Sequence, residues 1–330
     1  MNYQKFFGIK EMVYKILIVG FGNIGKYHFQ SILDSNKAYD VTILDRSKVA
    51  LKNANDTFDC SNRKIKFNLM NTTGKLNAHY HLCIIAVPSE NRLRIFKQIL
   101  KKSKIRNFIL EKFLFQKISH YKEADILIKK NKLNVWVNCW RRSFQLYKNI
   151  KVDLNNKEKY NIELKGDEWG LACNSIHFLD LFCWINNYKK LSLNCSKIDN
   201  KIWSAKRKGY IEFYGVLMGR ECNNKISLSC TSGQKKRLKI KLVNNKKTIL
   251  INELKGIARI KTKRGTKKIE FTSPKVSTLT HMIIQNILKN KKCYLPTYKE
   301  SAELHIIMLK AFLRKESCIK NSYVRRLRIT

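Results

Sequence analysis

At 330 residues, 44% apolar and 11% aromatic, the chain has the length of two domains and enough core-forming side chains to exclude disorder. Lys+Arg 67 against Asp+Glu 24 gives a formal charge of +43, and the ten cysteines form no C-x-x-C pair. No apolar stretch approaches the ~20 residues of a membrane span, and residues 1–12 lack the apolar core and cleavage site of a signal peptide. A disulfide-stapled secreted module, a zinc ribbon and a membrane protein are thereby disfavoured. The expectation is a cytoplasmic protein with reduced thiols, no membrane partner and no metal.

The first half of the chain alternates. Residues 13–19 (VYKILIV) form a strand-length apolar run ending in glycines, and residues 24–34 have helical apolar spacing. Strands are expected at 41–45, 82–87, 107–111 and 133–138, with helices through 92–100 and 119–130. Continuously apolar strands alternating with helices predict a parallel sheet covered on both faces. After about residue 150 the pattern changes: a helix at 174–186 is followed by strand-like segments with little helix between them. In RLKIKLV (237–243), Leu238, Ile240 and Leu242 alternate with Arg237, Lys239 and Lys241, as in an antiparallel sheet covered on one face. Helical periodicity returns over 277–330, with Thr297 and Glu300 at capping-box spacing. The fold class expected is α/β: a dinucleotide-binding domain over 1–140, then an α/β domain over 141–330 with a large, mainly antiparallel open sheet. The closing helices are free to pack back on the first domain.

Gly20-Phe21-Gly22-Asn23-Ile24-Gly25 matches G-x-G-x-x-G. A strand runs into Gly20, a helix opens at Ile24, and a second strand ends in Asp45, the spacing of a dinucleotide-binding turn. Gly20 permits the tight turn, Gly22 lets backbone approach a pyrophosphate, and Gly25 lets helix and strand pack closely. Asp45 is placed to accept from the adenosine ribose hydroxyls, which favours NAD. Arg46 beside it leaves NADP admissible. The alternative is an ordinary glycine turn with Asp45 as a strand-end cap.

With these residues the chain resembles the Gfo/Idh/MocA oxidoreductases, the glucose–fructose oxidoreductase and inositol dehydrogenase superfamily. KILIVGFGNIGKYH (15–28) is similar to the family's opening strand–turn–helix. CIIAVPSENR (83–92) resembles its Ala-x-Pro turn, which places Ala86 and Pro88 beside the nicotinamide. Leu110-Glu111-Lys112-Phe113 stands at the Glu-Lys-Pro signature, NCWRR (138–142) resembles the crossing into the second domain, and GLACNSIHFLDLFCWI (170–185) the helix bearing the active-site histidine. The resemblance implies catalytic Lys112 and His177, with Glu111 and Lys112 also at the cofactor. It implies a sugar, cyclitol or nucleotide-sugar substrate, surface-carbohydrate synthesis as a setting, and a homo-oligomer paired through the C-terminal sheet. Phe113 replaces the usual proline, Arg92 a common histidine, and Cys173 the aspartate that precedes the histidine by four residues.

Hydride transfer at a secondary carbon needs a nicotinamide, a group on the reacting oxygen and a proton acceptor. The Lys112 ammonium suits the oxygen. The imidazole of His177, with an ordinary pKa of about 6.5, suits the proton. Asn174 offers a hydrogen-bonding group beside Cys173, and Asp180 is placed to orient His177 or to stabilise its helix. Arg141 is placed either to bind an anionic group of substrate or cofactor or to bridge the domains in a salt bridge. The rival reading, an NAD-binding sensor or scaffold with impaired catalysis, rests on Cys173 and Phe113. The lysines are spread along the chain amid abundant Asn and Ile, as in drift of an AT-rich coding sequence, so no specific nucleic-acid partner is expected.

Overall fold

Six strands, several of them apolar runs followed by helices that cross back over the sheet, pair in parallel. The computed structural model describes residues 12–58, 64–76, 79–153, 158–233, 238–289 and 291–330. Residues 1–11, which bear on the signal-peptide reading, and Arg237 lie outside them. The first layer comprises β1 (Tyr14–Val19), α1 (Asn23–Leu33), β2 (Tyr39–Leu44), α2 (Lys48–Thr57) and β3 (Ile65–Met70), then β4 (His79–Ile85), α3 (Ser89–Lys102), β5 (Lys104–Leu110), α4 (Ile118–Lys130) and β6 (Asn134–Val137). Strand order is β3-β2-β1-β4-β5-β6, parallel throughout. The order reverses between β1 and β4, so their carboxyl ends open a crevice, the place where such sheets bind ligands. Ile16, Leu17, Ile18, Leu82, Cys83 and Ile84 are fully buried, which is why these strands read as continuous apolar runs.

The chain continues through α5 (Gln145–Val152), β7 (Asn161–Asp167) and α6 (Leu171–Asn186). Nine strands follow: β8 (Ser192–Ile198), the short pair β9 (Trp203–Ser204) and β10 (Ile211–Glu212), β11 (Gly215–Glu221), β12 (Asn224–Thr231), β13 (Lys239–Val243), β14 (Lys247–Asn252), β15 (Ile257–Thr262) and β16 (Gly265–Glu270). The second sheet runs β16-β15-β14-β13-β7-β12-β11-β8 and is antiparallel except where β7 pairs with β12 in parallel. In β13, Ile240 and Leu242 are buried while Lys239 and Lys241 are exposed, as their alternation predicts. α6 lies almost wholly in the interior and packs against β12 and the closing helix.

Of the two closing helices, α7 (Val276–Leu288) packs on α1, where His28 Nδ1 pairs with Thr280 Oγ1 at 2.7 Å. In α8 (Tyr298–Lys320) the Thr297–Glu300 capping box is present, and Tyr298 donates to the Tyr121 carbonyl of α4 at 2.7 Å. Helical periodicity misleads beyond residue 320. Residues 323–330 form neither helix nor strand, with Leu327 N donating to Gln116 O and Arg328 O accepting from Ile211 N. Asn321, in the left-handed conformation at φ 52°, ends the helix.

Asp180 is buried beside Arg142, whose Nε and Nη2 reach its two carboxylate oxygens at 2.8 and 2.6 Å. Arg142→Ala leaves that carboxylate without its cation and is expected to cost about 3–5 kcal/mol in urea unfolding, whereas Arg142→Leu with Asp180→Leu recovers most of the loss.

Candidate active site

The turn from β1 to α1 is built by absent side chains. Gly20 has φ +91°, and a Cβ there would fall 2.9 Å from Val87 Cγ1. A Cβ on Gly25 would sit 2.0 Å from the Gly20 carbonyl oxygen, so the helix begins this close only with glycine. A Cβ on Gly22 would meet nothing within 4 Å. Gly22 caps α1 without a side chain, and the first turn holds no acidic residue. The open backbone amides therefore fit a pyrophosphate. Asp45 is held at the end of β2 by Phe21 N on Oδ2 at 2.7 Å and Ser47 N on Oδ1 at 2.8 Å. It thus serves as a cap of the glycine turn, and its remaining lone pairs suit ribose hydroxyls. Arg46 is exposed beside it.

A cleft of about 690 Å³ joins this turn to the start of α6 and the β9–β10 hairpin. Gly22, Asn23, Ile24, Ala86, Pro88, Glu111, Lys112, Cys173 and Asn174 all line it, residues drawn from four separate segments of the sequence. Lys112 Nζ donates to Asn174 Oδ1 at 2.7 Å and to the Cys173 carbonyl at 3.2 Å. Asn174 is itself fixed, its Nδ2 donating to the Trp169 carbonyl at 2.6 Å. Gly170, at φ +83°, makes this crowding possible: a Cβ there would lie 2.8 Å from Cys173 Sγ, 3.0 Å from Asn174 Nδ2 and 3.1 Å from Glu212 Oε2. Burial pushes the Cys173 thiol up to about 12, so it supplies no thiolate near neutrality. The peptide between Lys112 and Phe113 is cis although no proline is present.

Glu212 escaped the sequence reading. It stands in a two-residue strand with no periodicity to mark it, yet it lines the cleft, buried, and its Oε1 accepts from Ala172 N and from Phe213 N at 3.0 Å. Gly170 brings no side chain to cap α6, and Glu212 performs that task from across the fold. Burial raises its carboxyl above the ordinary range. Arg92 was also undervalued. Fully enclosed, it donates to the carbonyls of Val87 at 2.6 Å, Leu114 at 2.9 Å and Phe113, tying the β4 turn to the loop after Lys112.

The remaining site candidates lie elsewhere. His177 is buried on α6, one turn past Cys173, with Trp140 edge-on at 6.0 Å and Nδ1 without a hydrogen-bond partner. Burial first, then Lys112 and Arg141 nearby, lower its pKa well below the usual value, so the ring is neutral at pH 7. Asp180 does not orient it, being taken by Arg142. Arg141 follows the salt-bridge alternative: buried, it pairs with Glu253 at 3.0 and 2.9 Å and lies 4.2 Å over the Phe178 ring. Neither residue lines this cleft, because each buried charge takes the nearest counter-charge. Among the described residues no His, Cys, Asp or Glu group has the geometry of a metal site.

Comparison with known proteins bears on the first layer of the fold. The profile of the Gfo/Idh/MocA family, described as an oxidoreductase family with an NAD-binding Rossmann fold, matches residues 14–139. Those residues belong to the Gfo/Idh/MocA oxidoreductases. No curated protein sequence gave a match. Among solved structures, an Agrobacterium radiobacter oxidoreductase in complex with NAD+, L-tartaric acid and magnesium superposes with TM-score 0.70 at 12% identity, over 93% of this chain and 97% of the other. UDP-N-acetylglucosamine 3-dehydrogenase from Acidithiobacillus ferrooxidans gives 0.69 at 10%, over 93% and 99%. The scyllo-inositol dehydrogenase of Lactobacillus casei gives 0.67 at 18%, over 94% and 98%. At such identities the likeness carries the two-sheet fold. Among the described residues no helix is long and apolar enough to cross a membrane.

The two glycines separate binding from folding. Gly22→Ala is expected to leave the melting temperature unchanged and to weaken NADH about tenfold or more by fluorescence titration, while Gly25→Ala lowers the melting temperature itself.

Proposed function

We propose that this chain is a nicotinamide-dependent oxidoreductase that moves hydride to or from a secondary carbon of a sugar, cyclitol or nucleotide-linked sugar. NAD is the favoured cofactor, given Asp45. The observation that carries the reading is one cleft holding both the open glycine turn and a lysine ammonium fixed by Asn174. When bound, the cofactor supplies the hydride chemistry, with the glycine turn at its pyrophosphate and Ala86 and Pro88 beside its ring.

Lys112 has three N–H groups, of which Asn174 and the Cys173 carbonyl take two. The third is available to the reacting oxygen and stabilises alkoxide character there. His177 accepts the hydroxyl proton during oxidation, as a neutral imidazole can and an imidazolium cannot. Its unpartnered Nδ1 is consistent with a ring that awaits a hydrogen-bonding partner. Several neighbours of this fold have names that denote sugar or cyclitol dehydrogenases, which supports the substrate class.

Lys112→Ala and His177→Ala are each expected to lower turnover by about 10²–10⁴ in a panel of polyols and sugar nucleotides, with NADH affinity nearly unchanged. Unaltered turnover in both variants overturns the assignment. The depressed pKa of His177 sets the pH dependence. Because the ring stays neutral below its ordinary value, kcat/KM for oxidation stays level as pH falls from 8 to about 6.5, and declines only at lower pH.

A further inference from the structure

The hairpin of β9 and β10 lines the same cleft as the glycine turn. Ser204, Ala205, Lys206, Arg207 and Tyr210 contribute to the cleft wall, facing a lining that includes Val87, Pro88 and Lys112. The hairpin is closed by Ala205 N donating to the Tyr210 carbonyl at 2.9 Å, and Gly209 turns the chain at φ +87°. Its base is anchored where Ile211 N donates to Arg328 O at 2.8 Å. Two cations are thus presented at the rim by a short, fixed turn.

No carboxylate forms an ion pair with Lys206 or Arg207 among the described residues. Of the acids on the cleft wall, Glu111 is held by His28 and Asn138, Glu212 caps α6, and Glu168 is exposed on the turn before that helix. Glu90, close to the hairpin, is shared by Tyr210 at 3.4 Å and Arg326 at 3.2 Å. The α6 terminus cannot attract an anionic ligand, because Glu212 already occupies it. The glycine turn serves the cofactor. An anion entering the remaining space therefore meets Lys206 and Arg207.

We propose that Lys206 and Arg207 bind the phosphate or diphosphate group of the substrate, which makes the substrate a phosphorylated or nucleotide-linked sugar rather than a neutral one. The inference rests on the proposed oxidoreductase function and narrows it. A planar guanidinium takes two phosphate oxygens at once, and a neighbouring ammonium adds a point charge. The hairpin lines the same cleft as Lys112, and its Tyr210 bonds Glu90, two residues past Pro88, so its phosphate is assigned to the substrate; the ribose end of the cofactor is assigned to Asp45 and Arg46.

The test is calorimetric titration of the NADH-saturated full chain with inorganic pyrophosphate. The Lys206→Ala/Arg207→Ala double variant is compared with Lys261→Ala/Lys267→Ala on the exposed β15–β16 edge. Both pairs are exposed, so both variants keep the native melting temperature. The hairpin variant is expected to weaken pyrophosphate about tenfold or more and the edge variant to leave it unchanged. Equal weakening in both reduces the effect to bulk charge, and absence of pyrophosphate binding removes the site; either result overturns the proposal. A hairpin variant that loses NADPH affinity while keeping pyrophosphate reassigns the cations to the cofactor, which also overturns it. Failure of NADH itself to bind would instead bring down the oxidoreductase reading.

Discussion

One buried carboxylate ties the site together. Glu111 Oε1 accepts from His28 Nε2 at 2.9 Å and from Asn138 Nδ2 at 2.5 Å. His28 belongs to the helix that opens at the glycine turn, Asn138 ends the last strand of the first sheet, and Thr280 holds the other nitrogen of His28. Burial alone would raise the Glu111 carboxyl; the hydrogen bonds from His28 and Asn138 and the charge of Arg92 bring it below its ordinary value. The carboxylate is therefore ionised and held from two sides. Lys112, the next residue, inherits that fixed backbone, so the cofactor turn and the amine keep a constant relation. Without Glu111, α1 and α7 would keep their own His28–Thr280 and Ser31–His281 hydrogen bonds, but the end of β5 would lose the side-chain hydrogen bonds that fix its direction against α1 and Asn138.

The parts of this architecture legible in the sequence are those whose signal is local. A fully buried parallel strand needs an unbroken apolar run, so β1, β4 and β5 announce themselves. β3, at the sheet edge, alternates irregularly between buried and exposed and carries no such run. The glycine turn is legible because each glycine answers a steric demand within six residues. The tail after Asn321 departs from its helical periodicity because Leu327 and Ile329, both buried, are held by Gln116 and Ser89 of the first layer rather than along one helix face.

What remained hidden depends on partners distant in sequence. Asp180 lies three residues from His177, and helical spacing invites a pair, yet Arg142 reaches it from 38 positions away with two hydrogen bonds. Arg141 finds Glu253 from 112 positions away. Glu212 caps a helix that starts some 40 residues earlier. No spacing rule foretells such pairs, because a buried charge is satisfied by whichever counter-charge the tertiary fold delivers. The absence of proline after Lys112 was equally uninformative, since Arg92 and the neighbouring carbonyls organise that turn from outside it.

The large positive charge becomes intelligible once its location is separated from its size. Along β15 and β16, Arg259, Lys261, Lys263, Arg264, Lys267 and Lys268 are all exposed, where water and salt screen charges beyond about 8–10 Å. Acids are few by comparison, and several lie inside: Glu111, Asp180, Glu212 and Glu316 are all buried. A surface can accumulate lysine at small cost per residue, whereas Arg141 and Arg142, enclosed, require carboxylates at fixed positions. In this chain, then, the position of an acid is more informative than the position of a base. The same logic singles out the bases near the hairpin tip, which line a cleft whose buried acids, Glu111 and Glu212, already have other partners.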